Sequence, residues 1–277
     1  MSRPLRVLVT GSSGQLGSEL VRTAPPQIQI TATVRDSLDI TDRRLVAEAV
    51  RSLRPDLIIN AAAYTAVDAA ESEPSVAFRV NRDGVAHVAQ AAAHVGARLI
   101  QISTDYVFDG CKTTPYTPED VPNPLNVYGE SKLAGERVAL EQTDGKALIV
   151  RTSWLYARHG RNFVKTMLRS LRQGSEVKVV CDQIGSPTDA QGLARALWTL
   201  AEQANLQNVL HWTDAGVASW YDFAEAIRSA AIEQMANTHL GRVIPILTSE
   251  RANPAQRPRF SVLDKTVSWS LLGIGPH

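Results

Sequence analysis

Tyr128 and Lys132 stand four residues apart in Tyr128-Gly-Glu-Ser-Lys132. On a helix, positions i and i+4 share a face, so the phenol and the ammonium would point at one site. A free tyrosine, with a pKa of about 10, is a poor acid or base at neutral pH. A neighbouring ammonium favours its phenolate and draws that value down, as does the positive ring of an oxidised nicotinamide. A tyrosine so placed can give a proton to a carbonyl oxygen as hydride reaches the carbon, or remove it in the reverse direction. Upstream, Ser103-Thr104-Asp105 closes an apolar run and offers hydroxyls where a strand should end. Thr104 there can hydrogen-bond a carbonyl and steady Tyr128. The same residue types also favour plain strand-end turns.

Hydride needs a carrier, and Gly11-Ser-Ser-Gly14-Gln-Leu-Gly17 supplies a place for one. The first glycine permits a tight turn, the second lets backbone approach a pyrophosphate, and the third lets a helix pack closely on a strand. Amides at the helix start then face phosphate charge. Gly11, Ser13, Gly14, Gln15 and Leu16 are the candidate cofactor contacts. After the next apolar run comes Arg35, then Asp36. An arginine there can pair a 2′-phosphate bidentately, which favours NADPH. Asp36 keeps NADH open, and a solvated Arg35 is an equal alternative.

These residues need a scaffold, and the first half of the chain reads as one. Apolar strands are expected at 7–9, 30–34, 57–59, 99–102 and 147–150, with helices between them. The first helix spans 14–22. The second is capped by Thr41, carries Leu45, Val46, Ala49, Val50 and Leu53 at helical spacing, and is ended by Pro55. A third runs from near Pro74 to His94 and stops at Gly96, and the helix bearing Tyr128 begins near Asn126. Strands alternating with helices give a doubly wound α/β, Rossmann-type parallel sheet. Residues 104–126, with four prolines and little periodicity, read as a long loop beside a substrate cleft. Helices at 162–173, 190–203 and 220–232 and short strands at 177–180 and 209–212 follow. The expected division is a dinucleotide-binding domain over 1–151, rejoined by about 177–204, with 152–277 forming mainly a smaller α/β substrate-binding lobe.

Composition narrows the class. The chain has 277 residues, 44% hydrophobic and 21% charged, with net charge +1. That balance gives no basic footprint for nucleic acid or an anionic membrane surface. Two distant cysteines, Cys111 and Cys181, form neither a disulfide framework nor a zinc motif. They fit a reducing compartment, and the N-terminus enters a strand pattern without a signal-peptide core, so a cytoplasmic location is expected.

The spacing GxxGxxG resembles the extended short-chain dehydrogenases/reductases. Longer segments narrow the resemblance to the dTDP-4-dehydrorhamnose reductase family: Leu38-Asp-Ile-Thr-Asp42, Asn60-Ala-Ala-Ala-Tyr-Thr-Ala-Val-Asp68, Ser103-Thr-Asp-Tyr-Val-Phe-Asp-Gly110, Arg151-Thr-Ser-Trp154, Asp182-Gln-Ile-Gly-Ser-Pro-Thr188, Ser219-Trp-Tyr-Asp-Phe223 and Arg257-Pro-Arg-Phe-Ser-Val-Leu-Asp264. The resemblance implies that NADPH reduces the C4 carbonyl of a dTDP-linked keto-deoxysugar, with Tyr128, Lys132 and Thr104 catalytic. It implies adenine contacts at Asp39 and Ile40 and a cofactor channel along Ala62, Ala63 and Tyr64. It places Val67, Thr104, Asp105, Tyr128 and Trp154 at the sugar. Arg257 or Arg259 is a further phosphate candidate, with a surface role equally open. Some members bind magnesium at a dimer interface through glutamates, one of them in the glycine loop. Here that position is Gln15, so no metal is expected, and monomer and homodimer both remain open. Related dehydratases carry Asp-Glu after the threonine. Thr104 is followed by Asp105 and Tyr106, which argues against dehydration. An epimerase, or a non-catalytic partner like the regulatory subunit of methionine adenosyltransferase, is the competing reading.

Overall fold

Alternate residues of the central strands face opposite ways, and both sets are apolar, so the sheet they form must be covered twice. The computed structural model describes residues 3–174, 176–203, 206–234 and 240–273. Its main sheet contains β1 (Leu5–Thr10), β2 (Ile28–Thr33), β3 (Leu57–Asn60), β4 (Arg98–Thr104), β5 (Leu148–Thr152) and, after four short strands, β10 (Val209–His211). The order is β10-β5-β4-β3-β1-β2, with every pair parallel. Val7, Val9, Leu57 and Ile59 pack with Leu16 and Leu20 of α1 (Gln15–Arg22) and with α8 (Ala190–Glu202). Leu8, Ile58, Leu99 and Ile149 face the other way, onto α2 (Arg43–Leu53), α5 (Val85–Val95) and α6 (Val127–Gln142).

The chain leaves β1 toward β2 on one side and returns to β3 on the other. That reversal opens a crevice at the carboxyl ends of β1 and β3, where such sheets bind ligands. The glycine loop follows β1, and Ala61–Ala63 follow β3.

Between β3 and α5 lie α3 (Val67–Ala70), α4 (Pro74–Phe78) and a wide π-helical turn at Arg79–Gly84. The helix expected from Pro74 to His94 thus runs without interruption to Gly96, but is widened by that turn, with Phe78, Arg79, Gly84 and Val85 all keeping right-handed helical backbone angles. Thr41 does not cap α2. Asp42 does, its carboxylate accepting from the amides of Arg44 (2.9 Å) and Leu45 (3.0 Å), while the Thr41 hydroxyl donates to Asp39. A carboxylate is the stronger acceptor and suits the positive end of the helix.

The second half builds β6 (Leu155–Tyr156), α7 (Phe163–Arg172), β7 (Val177–Val180), β8 (Ile184–Gly185) and β9 (Thr188–Asp189). It continues with β11 (Ala218–Ser219), α9 (Trp220–Gln234), β12 (Val243–Ile246) and α10 (Thr266–Leu271). The segment 177–204, expected to rejoin the dinucleotide-binding domain, divides between two places. β7 pairs with β12 in a separate two-stranded sheet, whereas α8 packs on α1 and β10 adds the sixth strand. Residues 1–2, 175, 204–205, 235–239 and 274–277 of the expected divisions lie outside the described residues. A third core of Met167, Leu171, Val179, Ala224, Ile227 and Val243 holds α7, α9, β7 and β12 together.

The loop expected to border the cleft does so only at its start. Beyond Asp105, Tyr116 stacks on Phe108 (4.2 Å between centroids) and bridges to Leu263, so this segment packs on the chain's last quarter. Among the described residues, no helix is long and apolar enough to cross a membrane.

α6 sits against the π-helical turn because Gly135 lacks a side chain. A Cβ there would stand 2.0 Å from the Asn81 carbonyl oxygen. Gly135→Ala is therefore expected to push α6 outward and destabilise the protein by roughly 1–3 kcal/mol. A thermal melt with an unchanged midpoint would show the contact to be dispensable.

Candidate active site

A cavity of about 660 Å³ occupies the crevice. Ser13, Gly14, Gln15 and Leu16 line one end, and Thr104, Asp105, Tyr128, Lys132 and Trp154 line the other, with Ala62 and Ala63 between them. Gly11 lies beneath this lining. Its φ is +67°, and a Cβ on it would stand 2.7 Å from the Ala62 backbone. At Gly17 a Cβ would stand 2.2 Å from the Gly11 carbonyl oxygen, so the turn and the helix can meet only as glycines. No side chain caps α1, although its first amides have no partner within the helix. This glycine cradle, with uncapped amides beside a cavity, fits a dinucleotide pyrophosphate.

Arg35, Asp39, Ile40, Tyr64 and Val67 lie outside the cavity lining. Arg35 is exposed and pairs with Asp39 at 3.5 Å. Asp39 also accepts from the Thr41 amide (2.9 Å). Ile40 is buried against the α2–α5 layer. Tyr64 bonds Asn81 through both its backbone amide and carbonyl and donates its hydroxyl to Glu73 (2.9 Å). Val67 opens α3. Arg257 pairs with Asp68 at 2.7 Å, also outside the cavity lining, and so is already neutralised.

At the reactive end, Asn126 caps α6, its side-chain oxygen accepting from the Gly129 amide (2.8 Å) and setting the helix start at Val127. Tyr128 and Lys132 then share the inner face. Tyr128 is half-buried, and burial pushes its phenol up to about 12. The Thr104 hydroxyl pulls it back and the Asp105 charge adds to the rise. The expected lowering by Lys132 does not operate in the protein alone. The Lys132 ammonium donates to the Ile102 carbonyl (2.7 Å), and its own value is pushed down to about 8 by burial against the opposing charge of Glu136. The phenol therefore carries its proton at neutral pH.

Beneath this pair lies a buried polar cluster that sequence reading missed. The Glu136 carboxylate, one turn beyond Lys132, accepts from Ser103 (2.5 Å) and from Arg151 Nε (2.9 Å) and Nη2 (2.7 Å). On the far side of α6, Asn81 donates to Ser131 (3.0 Å). The signals were present as charged or polar residues within apolar runs, but helical spacing alone could not say what they would meet. Ser153, Gly160, Arg161 and Asn162, from beyond β5, also line the cavity and escaped notice.

Trp154 is held in the left-handed region (φ 47°) and stacks on Trp220 with centroids 3.6 Å apart. Gly185 makes room for it, since a Cβ there would stand 2.7 Å from the indole. Packing and cavity lining thus fall to the same residue, and a strained backbone persists only where surrounding contacts enforce it.

Asp105 is 2% exposed, and burial pushes its carboxyl up to about 7 against hydrogen bonds from Ser261 (2.6 Å) and Thr104 (3.1 Å). A raised carboxyl means the folded chain holds that proton more tightly than the unfolded one. Its contribution to stability is therefore full at low pH and lost as pH rises through about 7. Asp105→Asn removes this loss. The variant should gain on the wild type by at most ~3 kcal/mol between about pH 5 and about pH 8.5, read from urea midpoints. A difference that does not change with pH would refute the assignment.

Comparison with known proteins finds relatives along almost the whole chain. The family described as "RmlD substrate binding domain" matches residues 5–276. A dTDP-4-dehydrorhamnose reductase of Sinorhizobium fredii is 43% identical over 265 residues, covering 94% of this chain and 88% of its own. One from Burkholderia thailandensis is 41% identical, covering 98% and 94%. The crystal structure of a dTDP-4-dehydrorhamnose reductase from Bacillus anthracis in complex with NADP superposes with a TM-score of 0.92 at 40% identity, covering 98% of this chain and 94% of that one. By sequence along its whole length and by architecture, the chain belongs to the dTDP-4-dehydrorhamnose reductase family.

Proposed function

We propose that this protein reduces the C4 carbonyl of dTDP-4-dehydro-6-deoxy-L-mannose to give dTDP-L-rhamnose, with NADPH as reductant. The observation that carries the reading is the single cavity with a glycine cradle at one end and Thr104, Tyr128 and Lys132 at the other. Bound NADPH supplies the hydride.

The chain's own residues do the rest. Tyr128, protonated at rest, donates its proton to the carbonyl oxygen as negative charge develops there. The Thr104 hydroxyl aligns that oxygen and shares the phenol's hydrogen bonding. Lys132 brings a positive charge into a buried site and, turned from the Ile102 carbonyl, can hold the nicotinamide ribose while lowering the cost of a phenolate. Asp105, Val67 and Trp154 meet the sugar, and the half of the chain after residue 152 holds most of the dTDP group. Ala62, Ala63 and Tyr64 border the cofactor. Asp39 and Ile40 receive the adenine. For Arg35 to take a 2′-phosphate it must leave Asp39, an exposed partner whose attraction in water is worth only about 0–1 kcal/mol. That low cost supports NADPH. We place the protein in the cytoplasm as a monomer or homodimer.

Tyr128→Phe should bind NADPH as the wild type does, yet oxidise it with the keto-sugar roughly 10²–10⁴-fold more slowly. The measurement is loss of reduced-nicotinamide absorbance. Equal rates would remove Tyr128 from the proton-donor role.

A further inference from the structure

We infer that Arg161 is the counter-ion of the cofactor's pyrophosphate, delivered to the glycine loop from the second half of the chain. The inference rests on the dinucleotide reading of the cavity.

A pyrophosphate brings two negative charges. The glycine loop, Gly11-Ser-Ser-Gly-Gln-Leu-Gly17, contains no cation. The end of α1 contributes about half a positive charge through its amides. Two cations line the cavity. Lys132 sits at the reactive end, committed to the Ile102 carbonyl. Arg161 is the other, and among the described residues it has neither a hydrogen bond nor an ion pair. Asp105 is the cavity's acidic residue, and it belongs to the reactive end as well.

The backbone around Arg161 is fastened to the glycine loop. Asn162 donates to the Gln15 side-chain oxygen (2.9 Å) and to the Ala157 carbonyl (2.7 Å), while its own oxygen caps α7 through the Lys165 amide (3.0 Å). Gly160 lies against Gln15, where a Cβ would stand 3.1 Å from Gln15 Cγ. Lys165 donates to the Gly160 carbonyl (3.2 Å). Both neighbours of Arg161 are thus tied down beside the residues that would receive the pyrophosphate, and its side chain is left without a partner. A guanidinium so placed has the fork geometry to bind phosphate oxygens and loses little by doing so. It also makes cofactor binding depend on the strap between β6 and α7, so that one half of the chain completes the other's site.

The test is fluorescence titration of the wild type, R161Q and R161K with NADPH and, separately, with dTDP. Because Arg161 is exposed and unpaired, its variants should melt as the wild type does. R161Q should weaken NADPH about tenfold or more, reduce the salt dependence of that binding, and leave dTDP unchanged. R161K should recover part of the loss. Unchanged NADPH affinity in R161Q, with the wild type binding normally, overturns the inference alone. Weakened dTDP with unchanged NADPH overturns it too, and gives the arginine to the sugar nucleotide. A wild type that binds no NADPH overturns the dinucleotide reading together with it.

Discussion

A buried carboxylate holds the reactive end of this protein together. Glu136 joins α6 to β4 through Ser103 and to β5 through a two-point contact with Arg151. The residues it fixes are neighbours of the ones that act. Ser103 precedes Thr104, and Glu136 lies four positions after Lys132 and eight after Tyr128 on the same helix. A buried ion pair recovers its desolvation only when geometry is good and remaining polar atoms are satisfied. Here Ser103 satisfies the carboxylate, and Phe108 lies under the guanidinium at 5.1 Å. Removing one partner of such a pair typically costs about 3–5 kcal/mol, because a charge is left stranded. That penalty protects the register between the strand bearing the hydroxyl and the helix bearing the phenol.

Around this anchor, the site is made of close approaches. Gly17 allows α1 to reach the turn at Gly11, Gly135 allows α6 to reach Asn81, and Gly185 allows Trp154 to tuck in. Asn81 carries a second tie, holding Tyr64 on one side and Ser131 on the other from within the π-helical turn. Wide turns of this kind are costly and tend to persist where geometry is needed.

Burial sets the protonation states. It keeps the proton on Tyr128, brings Lys132 down to about 8 and Asp105 up to about 7. The expectation that Lys132 lowers the phenol holds only if its ammonium turns from the Ile102 carbonyl. A resting site that stores its proton suits reduction, where the phenol must give that proton up.

The sequence by itself determined the parallel sheet, the places of most helices, the glycine turn and the Tyr-Lys face, because these depend on periodicity and on residues near in the chain. It showed apolar strands at 57–59 and 99–102 and the two-sided cover they require. It could not see the widening at Arg79–Gly84, since the helix continues on both sides of the π-turn. Nor could it assign β7 to the small sheet, since a four-residue strand has no pattern that names its partner. The candidate site divides the same way. Local spacing brought Tyr128 to Lys132 and the loop to α1. Only the tertiary structure set Glu136 against Arg151 and Ser103, buried Asp105 beside Ser261, and brought Gly160 and Asn162 to Gln15, nearly 150 residues away in the chain. Such contacts rest on distance in space and on exclusion of water, and neither is written in the order of residues.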